Sequence, residues 1–232
     1  MKTLNLSGEL ISDEWAEVYS WFGYETGYFY PGMIRNAVAS LEAGEELVLE
    51  INSVGGDVDA AGEIYSVLAK CGNPTRAEIQ SLAASAASYC ILACDRVEIS
   101  LAAQMMIHCA SCAGRGNAED HRWMAGMLET TDETILNVYC ARCGEDKREE
   151  LKKLMEAETF LSANKALELG LVDAIIGQTE ENQAERLVAS ITNNIVRAMR
   201  TLPDIRELAD KRAKQKDDLL AEITAAKQRY HI

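Results

Sequence analysis

Short apolar runs rich in Val and Ile alternate with segments of helical spacing along residues 47–107. The pattern predicts, in order, strand 47–51, helix 58–70, strand 76–80, helix 85–94, and strands 97–99 and 105–107. Strands that alternate with helices in this way are typical of an α/β layered domain with a parallel sheet.

A single long helix is predicted next. Residues 118–143 contain no proline, carry spaced apolar residues and are followed by Gly144. At about 1.5 Å per residue this helix would be roughly 39 Å long, longer than the domain that carries it. We expect such a helix to project from the domain and to pack against another subunit, which predicts a homo-oligomer.

The distribution of charge marks a boundary near residue 177. Residues 1–180 hold 13 basic and 29 acidic side chains, whereas residues 181–232 hold 10 and 8. The change follows the run 171–177, which is rich in β-branched residues, ends in glycine and predicts the last strand of the main domain. We therefore predict a domain at 1–177 and a separate C-terminal tail at 178–232.

The tail has the spacing of a helix with one apolar seam. Its apolar residues recur at steps of four and three before a proline interrupts them: Ala184, Val188, Ile191, Ile195, Ala198 and Leu202. Such a helix can dock on its own domain, or it can serve as a coiled-coil or assembly arm. The sequence leaves both interpretations open.

Charge and composition argue against several classes of partner. The formal net charge of −14 repels phosphate backbones and anionic membranes, so nucleic acid and lipid are not expected as main partners. The longest apolar stretches are far shorter than the ~20 residues that a bilayer requires, and residues 1–7 lack a signal-peptide core. Seven cysteines without an export signal favour reduced thiols in the cytoplasm.

A strand that ends in paired glycines is the first segment with potential chemistry. It reads Ile51-Asn52-Ser53-Val54-Gly55-Gly56-Asp57-Val58 and leads into a predicted helix. The backbone N–H groups of paired glycines are approachable, as an oxyanion hole requires. A tight turn between strand and helix would have the same composition.

Ser85 and His108 are the candidate nucleophile and base. Ser85 lies among alanines at the predicted start of an apolar helix, where the helix dipole and the small neighbours suit a reactive hydroxyl. A serine that caps the helix would occupy the same place. His108 follows a predicted strand, whereas His121 lies in the long helix and His231 in the tail. If an imidazole activates Ser85, His108 is the candidate, and a purely structural histidine is the alternative.

An orienting carboxylate would complete a catalytic triad. Glu158 precedes a short apolar run and Ser162, a suitable N-cap, so it can lie at a junction between a strand and a helix. Spacing alone does not distinguish Glu158 from the rest of the 37 acidic residues.

Four segments, taken together, resemble the ClpP serine peptidases in order and in separation. They are Asn52-Ser53-Val54-Gly55-Gly56, Ala84-Ser85-Ala86, Met106-Ile107-His108, and Phe160-Leu161-Ser162-Ala163 followed by Leu169-Gly170-Leu171-Val172-Asp173. The resemblance covers most of the predicted domain at 1–177. The run Ala-Ala-Ser-Ala-Ala-Ser at 83–88 is similar to the nucleophile segment of ClpP-like head maturation proteases of tailed phages and prophages.

The resemblance implies a ClpP/crotonase-like α/β fold of repeated β-β-α units, with the long helix as a projecting handle and a helical C-terminal tail. It implies that Ser85 is the nucleophile, that His108 is the general base, and that Glu158 stands where the family usually has Asp. It also implies backbone oxyanion donors at Gly56 and Ala86, with Gly55 beside them.

The same resemblance implies a serine endopeptidase without cofactor or metal, which acts on polypeptides as a homo-oligomeric ring, with rings stacked through the handle helix. A phage enzyme of this type would act on capsid or scaffold proteins in the host cytoplasm. The first strand is predicted to begin at Leu4, which leaves little chain for the axial loops through which ClpP engages an ATP-driven unfoldase. We therefore expect capsid maturation, with an ATP-dependent ClpP-type proteolytic subunit as the alternative.

Three other function classes compete with this interpretation. A crotonase-type acyl-CoA enzyme shares the fold but needs no Ser–His pair. A signal-peptide peptidase would use a lysine base and usually a membrane anchor. A non-catalytic assembly or scaffold protein that retains the fold is the alternative from a different class, and labelling of Ser85 by a fluorophosphonate probe would separate it from an enzyme.

Two C-x-x-C pairs are explained neither by the candidate chemistry of Ser85 and His108 nor by the family resemblance. They are Cys109 with Cys112 and Cys140 with Cys143, at the spacing of zinc or redox sites. If residues 109–117 ran outward along the long helix, the two pairs could converge near its base. A structural metal site or a disulfide is one interpretation, and ordinary thiols are the other.

Overall fold

A largely parallel sheet of eight strands forms the centre of the computed structural model, which describes residues 1–178. Residues Met1–Gly177 form one compact unit. The strands are β1 (Lys2–Leu10), β2 (Tyr28–Phe29), β3 (Leu47–Gly56), β4 (Thr75–Ala84), β5 (Arg96–Ile99), β6 (Gln104–Ile107), β7 (Thr159–Ser162) and β8 (Ala174–Ile175). The helices are α1 (Asp13–Trp21), α2 (Pro31–Ala39), α3 (Val58–Ala69), α4 (Ala86–Cys90), α5 (Ala118–Cys143), α6 (Arg148–Glu156) and α7 (Ala163–Leu169).

The sheet divides at β4. Its order is β2-β1-β3-β4-β5-β8, and β6 pairs with β4 while β7 pairs with β6. Residues 76–79 of β4 pair with β5, and residues 82–84 pair with β6. All pairs are parallel except β6–β7. The predicted α/β class with a parallel sheet is confirmed, and the division places the ends of β3, β4 and β6 side by side.

Helix α3 begins directly after the paired-glycine segment and anchors it. The Asp57 carboxylate accepts the Ala60 N–H at 2.9 Å and so caps the first turn of the helix. The buried residues of α3 form one helical stripe within the hydrophobic core: Ala60, Ala61, Ile64 and Leu68. The chain that leaves β3 is therefore anchored directly after its glycines.

The long helix α5 has the predicted bounds, Ala118–Cys143. Asn117 and Asp120 form a reciprocal capping box at its start. Its buried residues all lie towards its C-terminal end: Ile135, Leu136, Tyr139 and Cys140. The first half contributes no buried side chain, and Trp123 and Met127 are exposed there.

The two ends of the domain differ from the prediction. β1 begins at Lys2 rather than Leu4, and the predicted last strand at 171–177 is reduced to Ala174–Ile175. Just before β8, the Asp173 N–H donates to the Val97 carbonyl and the Asp173 carboxylate accepts the Val97 N–H, both at 2.7 Å. The predicted helical tail lies outside the described residues. Within residues 1–178 no helix combines the length and apolar character needed to cross a membrane.

Candidate active site

Ser85 and His108 meet where two parallel strands end side by side. β4 ends at Ala84 and β6 at Ile107, and Ala84 pairs with Met106. Residues just beyond the carboxyl ends of neighbouring parallel strands lie at one edge of the sheet. There the Ser85 Oγ and the His108 Nε2 are 2.6 Å apart, a hydrogen bond between two partly buried side chains. The structure thus brings together the two residues that the sequence suggested as nucleophile and base.

The Ser85 hydroxyl does not cap the helix that follows it. Helix α4 is regular only over Ala86–Cys90 and continues as a 3₁₀ turn at Ile91–Ala93, so the predicted helix 85–94 is irregular in its second half. Ser85 makes no side-chain capping hydrogen bond. Because a helix of five residues aligns few peptide dipoles, the main group that can activate this hydroxyl is the imidazole.

The backbone of Ser85 has an uncommon conformation. Its φ is 54° and its ψ is −129°, and non-glycine residues rarely adopt such a φ. The Ser85 N–H donates to the Met106 carbonyl at 2.8 Å, and the Ser85 carbonyl accepts the Ser88 N–H at 2.9 Å. In residues 1–178 the other non-glycine residue with a positive φ is Glu158, at 48°. Strain of about 1–3 kcal/mol per residue persists where the surrounding structure holds it, which is common at functional sites.

The paired glycines pass directly beside the nucleophile turn. A Cβ on Gly55, whose φ is 91°, would lie 2.7 Å from the Ser85 Cβ and 2.6 Å from the Ala84 carbonyl oxygen. A Cβ on Gly56 would lie 2.0 Å from the carbonyl oxygen of Leu10. Glycine at both positions therefore allows β3 to approach the nucleophile turn on one side and β1 on the other.

The backbone donors near Ser85 differ in their availability. The Gly55 N–H donates to the Ser53 Oγ at 3.0 Å, and the buried Ser53 hydroxyl donates to the Gly8 carbonyl at 2.6 Å. The Gly55 N–H is therefore not free to bind an oxyanion. The role of Gly55 is to let β3 approach Ser85 closely. Ala86 is the first residue of α4, so its N–H has no acceptor within that helix. Gly56 and Ala86 remain the candidate oxyanion donors.

Ser53 is a supporting residue that the sequence analysis did not single out. Its hydroxyl joins β1 to the paired glycines, since it bonds both Gly8 and Gly55. Its position inside the Asn-Ser-Val-Gly-Gly segment was the available signal, because serine hydroxyls often bond backbone groups of a nearby turn.

Glu158 and His108 flank the last pair of the antiparallel ladder β6–β7. The ladder ends at Ile107 and Thr159, so His108 directly follows β6 and Glu158 directly precedes β7. Glu158 is exposed, and within residues 1–178 its carboxylate forms no hydrogen bond with the imidazole. The third residue of the suggested triad is therefore close to the base without being bonded to it.

Replacing Glu158 with glycine should separate catalysis from stability. Glycine adopts a φ of 48° without steric cost, so we expect Glu158→Gly to be no less stable than the wild type, with a gain of up to about 1 kcal/mol. If the carboxylate supports His108, its loss should lower kcat by about 10²–10⁴-fold. Thermal unfolding and steady-state peptide hydrolysis measure the two effects.

Glu158→Asp is the matched control, because it keeps the carboxylate and introduces the residue usual in the family. We expect it to retain far more activity than Glu158→Gly. A Glu158→Gly enzyme with the wild-type kcat would remove this residue from the triad.

The two C-x-x-C pairs do not converge. All seven cysteines are free, and residues 1–178 contain no group of three or more His, Cys, Asp or Glu side chains arranged to hold a metal ion. The Cys109 thiol lies beside Asp132 of α5, and Cys140 is about 12 Å further along that helix. Zinc–sulfur bonds are only about 2.3 Å long, so thiols at these two places cannot share one ion.

Alkylation of the native protein should therefore discriminate among the cysteines. Cys112 is exposed, whereas burial raises the pKa of Cys143 to about 11, which lowers the reactive thiolate fraction near pH 8. We expect iodoacetamide to modify Cys112 first and Cys143 much more slowly, as measured by peptide mass mapping. Joint protection of both pairs, released by a chelator or a reductant, would contradict this arrangement.

Comparison with known proteins identifies the family of this domain. The family model described as Clp protease matches residues 36–179, which include the glycine pair, Ser85, His108 and Glu158. The ATP-dependent Clp protease proteolytic subunit 1 of Chlamydia muridarum is 34% identical over 137 residues, covering 57% of this chain and 71% of the relative. The ATP-dependent Clp protease proteolytic subunit of Deinococcus radiodurans is 30% identical over 141 residues, covering 60% of this chain and 69% of the relative.

These matches agree with the parallel α/β sheet and with the Ser85–His108 contact at the ends of β4 and β6. The chain belongs to the Clp protease family of ClpP-like serine peptidases.

Proposed function

We propose that this chain hydrolyses peptide bonds by acyl transfer through Ser85, His108 and Glu158. The Ser85 Oγ attacks the carbonyl carbon of the substrate while the His108 Nε2 takes the hydroxyl proton. The N–H groups of Gly56 and Ala86 stabilise the negative charge that develops on the carbonyl oxygen. His108 then gives the proton to the leaving amine, the C–N bond breaks, and the acyl-enzyme remains.

Water completes the cycle in the second half-reaction. The His108 Nε2 takes a proton from a water molecule whose oxygen attacks the acyl carbonyl, and the Ser85 Oγ leaves with that proton. The Glu158 carboxylate, from the residue just before β7, stabilises the imidazolium that forms in both halves. This chemistry requires no metal ion or cofactor.

One observation carries the proposal, the 2.6 Å hydrogen bond between the Ser85 Oγ and the His108 Nε2. It occurs at a turn whose backbone φ of 54° presents the serine at the strand ends. Neither a helix-capping serine nor a structural histidine requires this contact.

For the biological setting, we propose maturation of a phage capsid in the host cytoplasm. The substrates would be capsid or scaffold polypeptides. The similarity of segment 83–88 to the nucleophile segment of phage head maturation proteases supports this setting. We further propose that copies of the chain assemble into rings that meet through α5, whose first half leaves Trp123 and Met127 exposed.

An ATP-dependent proteolytic subunit is the second candidate. The relatives from Chlamydia muridarum and Deinococcus radiodurans are both named as ATP-dependent Clp protease proteolytic subunits, which favours this role. In that setting the chain would cleave unfolded polypeptides delivered by an ATP-driven unfoldase.

Labelling and cleavage assays on the native assembly test the proposal. A fluorophosphonate probe should modify Ser85, located by peptide mass mapping, and the assembly should cleave a co-encoded capsid or scaffold protein without ATP. A folded, unlabelled oligomer would contradict the catalytic proposal. Cleavage only in the presence of an unfoldase and ATP would replace capsid maturation by the second candidate.

A further inference from the structure

A pair of buried hydroxyl groups lies directly behind the nucleophile. Ser88 is 0% exposed and Tyr139 is 1% exposed, and their oxygen atoms are 2.6 Å apart. Ser88 belongs to α4 and Tyr139 to α5, so this contact joins two helices that are far apart in the chain. The catalytic steps proposed above use neither residue.

The protons of these hydroxyls have one consistent arrangement. The Ser88 Oγ lies 2.6 Å from the Ser85 carbonyl oxygen, and the Ser88 hydroxyl is the donor because a carbonyl oxygen only accepts. A hydroxyl has a single proton, so Ser88 accepts the hydrogen bond from Tyr139. Burial raises the pKa of Tyr139 well above its usual value, so the Tyr139 O–H remains a donor at any pH at which the enzyme would work.

The Ser85 carbonyl and the Ala86 N–H belong to the same peptide group. In a planar trans peptide these two groups point in opposite directions and move as one unit. Ser88 bonds the carbonyl twice, through its N–H at 2.9 Å and through its hydroxyl at 2.6 Å. Holding this carbonyl on one side therefore directs the Ala86 N–H towards the other.

We propose that Ser88 and Tyr139 are positioning residues for the oxyanion hole. Tyr139 orients the Ser88 hydroxyl, Ser88 holds the Ser85 carbonyl, and the shared peptide plane directs the Ala86 N–H at the developing oxyanion. The hydrogen bonds that run from Tyr139 of α5 through Ser88 to the Ser85 carbonyl also stabilise the strained backbone of Ser85. This inference rests on the proposed peptidase function and deepens the role given to Ala86.

Tyr139→Phe tests the inference, because it removes the hydroxyl and keeps the packing of the ring. We expect kcat for a fluorogenic peptide to fall about tenfold, with KM within about twofold of the wild type, since the loss is an interaction of the transition state. The pH midpoint of kcat/KM should not move, because His108 is untouched.

Tyr89→Phe is the matched control. Tyr89 is 5% exposed, and its hydroxyl donates at 2.5 Å to the carbonyl of Val58, the first residue of α3, and not to the Ser85 peptide group. We expect this variant to lose a comparable amount of thermal stability while its kcat stays within about twofold of the wild type. If Tyr139→Phe and Tyr89→Phe have the same kcat, Tyr139 is only structural and the inference is wrong.

A double-mutant cycle tests whether Tyr139 acts through Ser88. Ser88→Ala should lower kcat about 30-fold or more, and adding Tyr139→Phe should cause no further loss, because the two hydroxyls act in series. The double variant also removes the Tyr139 hydroxyl, which Ser88→Ala leaves buried without a partner. If one single variant folds poorly, the kcat of the double variant is compared with that of the other single variant. Independent, multiplying losses in kcat would overturn the serial arrangement.

Ser85→Ala, measured alongside, separates this inference from the proposed function. If Ser85→Ala retains hydrolysis and probe labelling, the peptidase assignment of Ser85 fails. If Ser85→Ala is inactive while Ser88→Ala and Tyr139→Phe match the wild type, only the positioning role fails.

Discussion

The Ser85→Ala variant is expected to lose peptide hydrolysis almost completely, with kcat lower by about 10⁴–10⁶-fold. The substitution removes only the Oγ that lies 2.6 Å from the His108 Nε2. The Ser85 N–H and carbonyl, which bond Met106 and Ser88, are unchanged. Initial rates on a fluorogenic peptide, normalised to folded protein by circular dichroism, give the effect, and native mass measurement should show the wild-type assembly.

Ser81→Ala is the matched control for this experiment. Ser81 is exposed on the same strand, four residues before the nucleophile, and we expect its replacement to leave the rate unchanged. Hydrolysis by Ser85→Ala at a rate near that of Ser81→Ala would mean that the nucleophile lies elsewhere.

The Gly55→Ala variant is expected to lose both activity and stability. Its Cβ would lie 2.6 Å from the Ala84 carbonyl oxygen and 2.7 Å from the Ser85 Cβ, at a φ of 91° that alanine rarely adopts. Strain and displacement of the nucleophile turn should together cost at least about 3 kcal/mol, which for a domain of this size lowers the melting temperature by roughly 6–12 °C. We expect kcat of the folded fraction to fall at least about 100-fold, because Ser85 must move.

Gly62→Ala provides the comparison. No neighbouring atom lies within 4 Å of a Cβ built at this position of α3, so the substitution should stabilise the domain by about 0.5–1 kcal/mol. Activity should stay at the wild-type level. Equal melting temperatures for the two variants would show that the close approach of β3 to Ser85 does not require glycine at residue 55.

Local sequence patterns were sufficient to predict the positions of the helices and strands that carry the site. Helix α5 has the predicted bounds because a proline-free run that ends at a glycine is a signal between sequence neighbours. The strands before Ser85 and His108 begin within one residue of their predicted starts, although β4 continues to Ala84, four residues beyond its predicted end. β8 is shorter than predicted, and just before it the Asp173 carboxylate accepts the Val97 N–H, a contact with a distant strand that no local pattern indicates.

The candidate site was only partly predictable from local signals. Spacing did not select Glu158 among the acidic residues. It was chosen by family resemblance, and in the structure it directly precedes β7 at the end of the ladder that His108 follows. The positive φ of Ser85 and Glu158 could not be anticipated, because neither position carries the glycine that usually marks it.

By itself, the sequence determined the class of fold, the extent of the long helix and the pair Ser85 and His108 as candidates, because periodicity and turn residues act between near neighbours. The tertiary structure decided what the side chains do. Ser85 bonds an imidazole instead of capping a helix, and Tyr139 reaches the back of the nucleophile turn through Ser88. Each of these contacts joins groups whose distance is set by strand pairing and helix packing, which no local pattern of residues encodes.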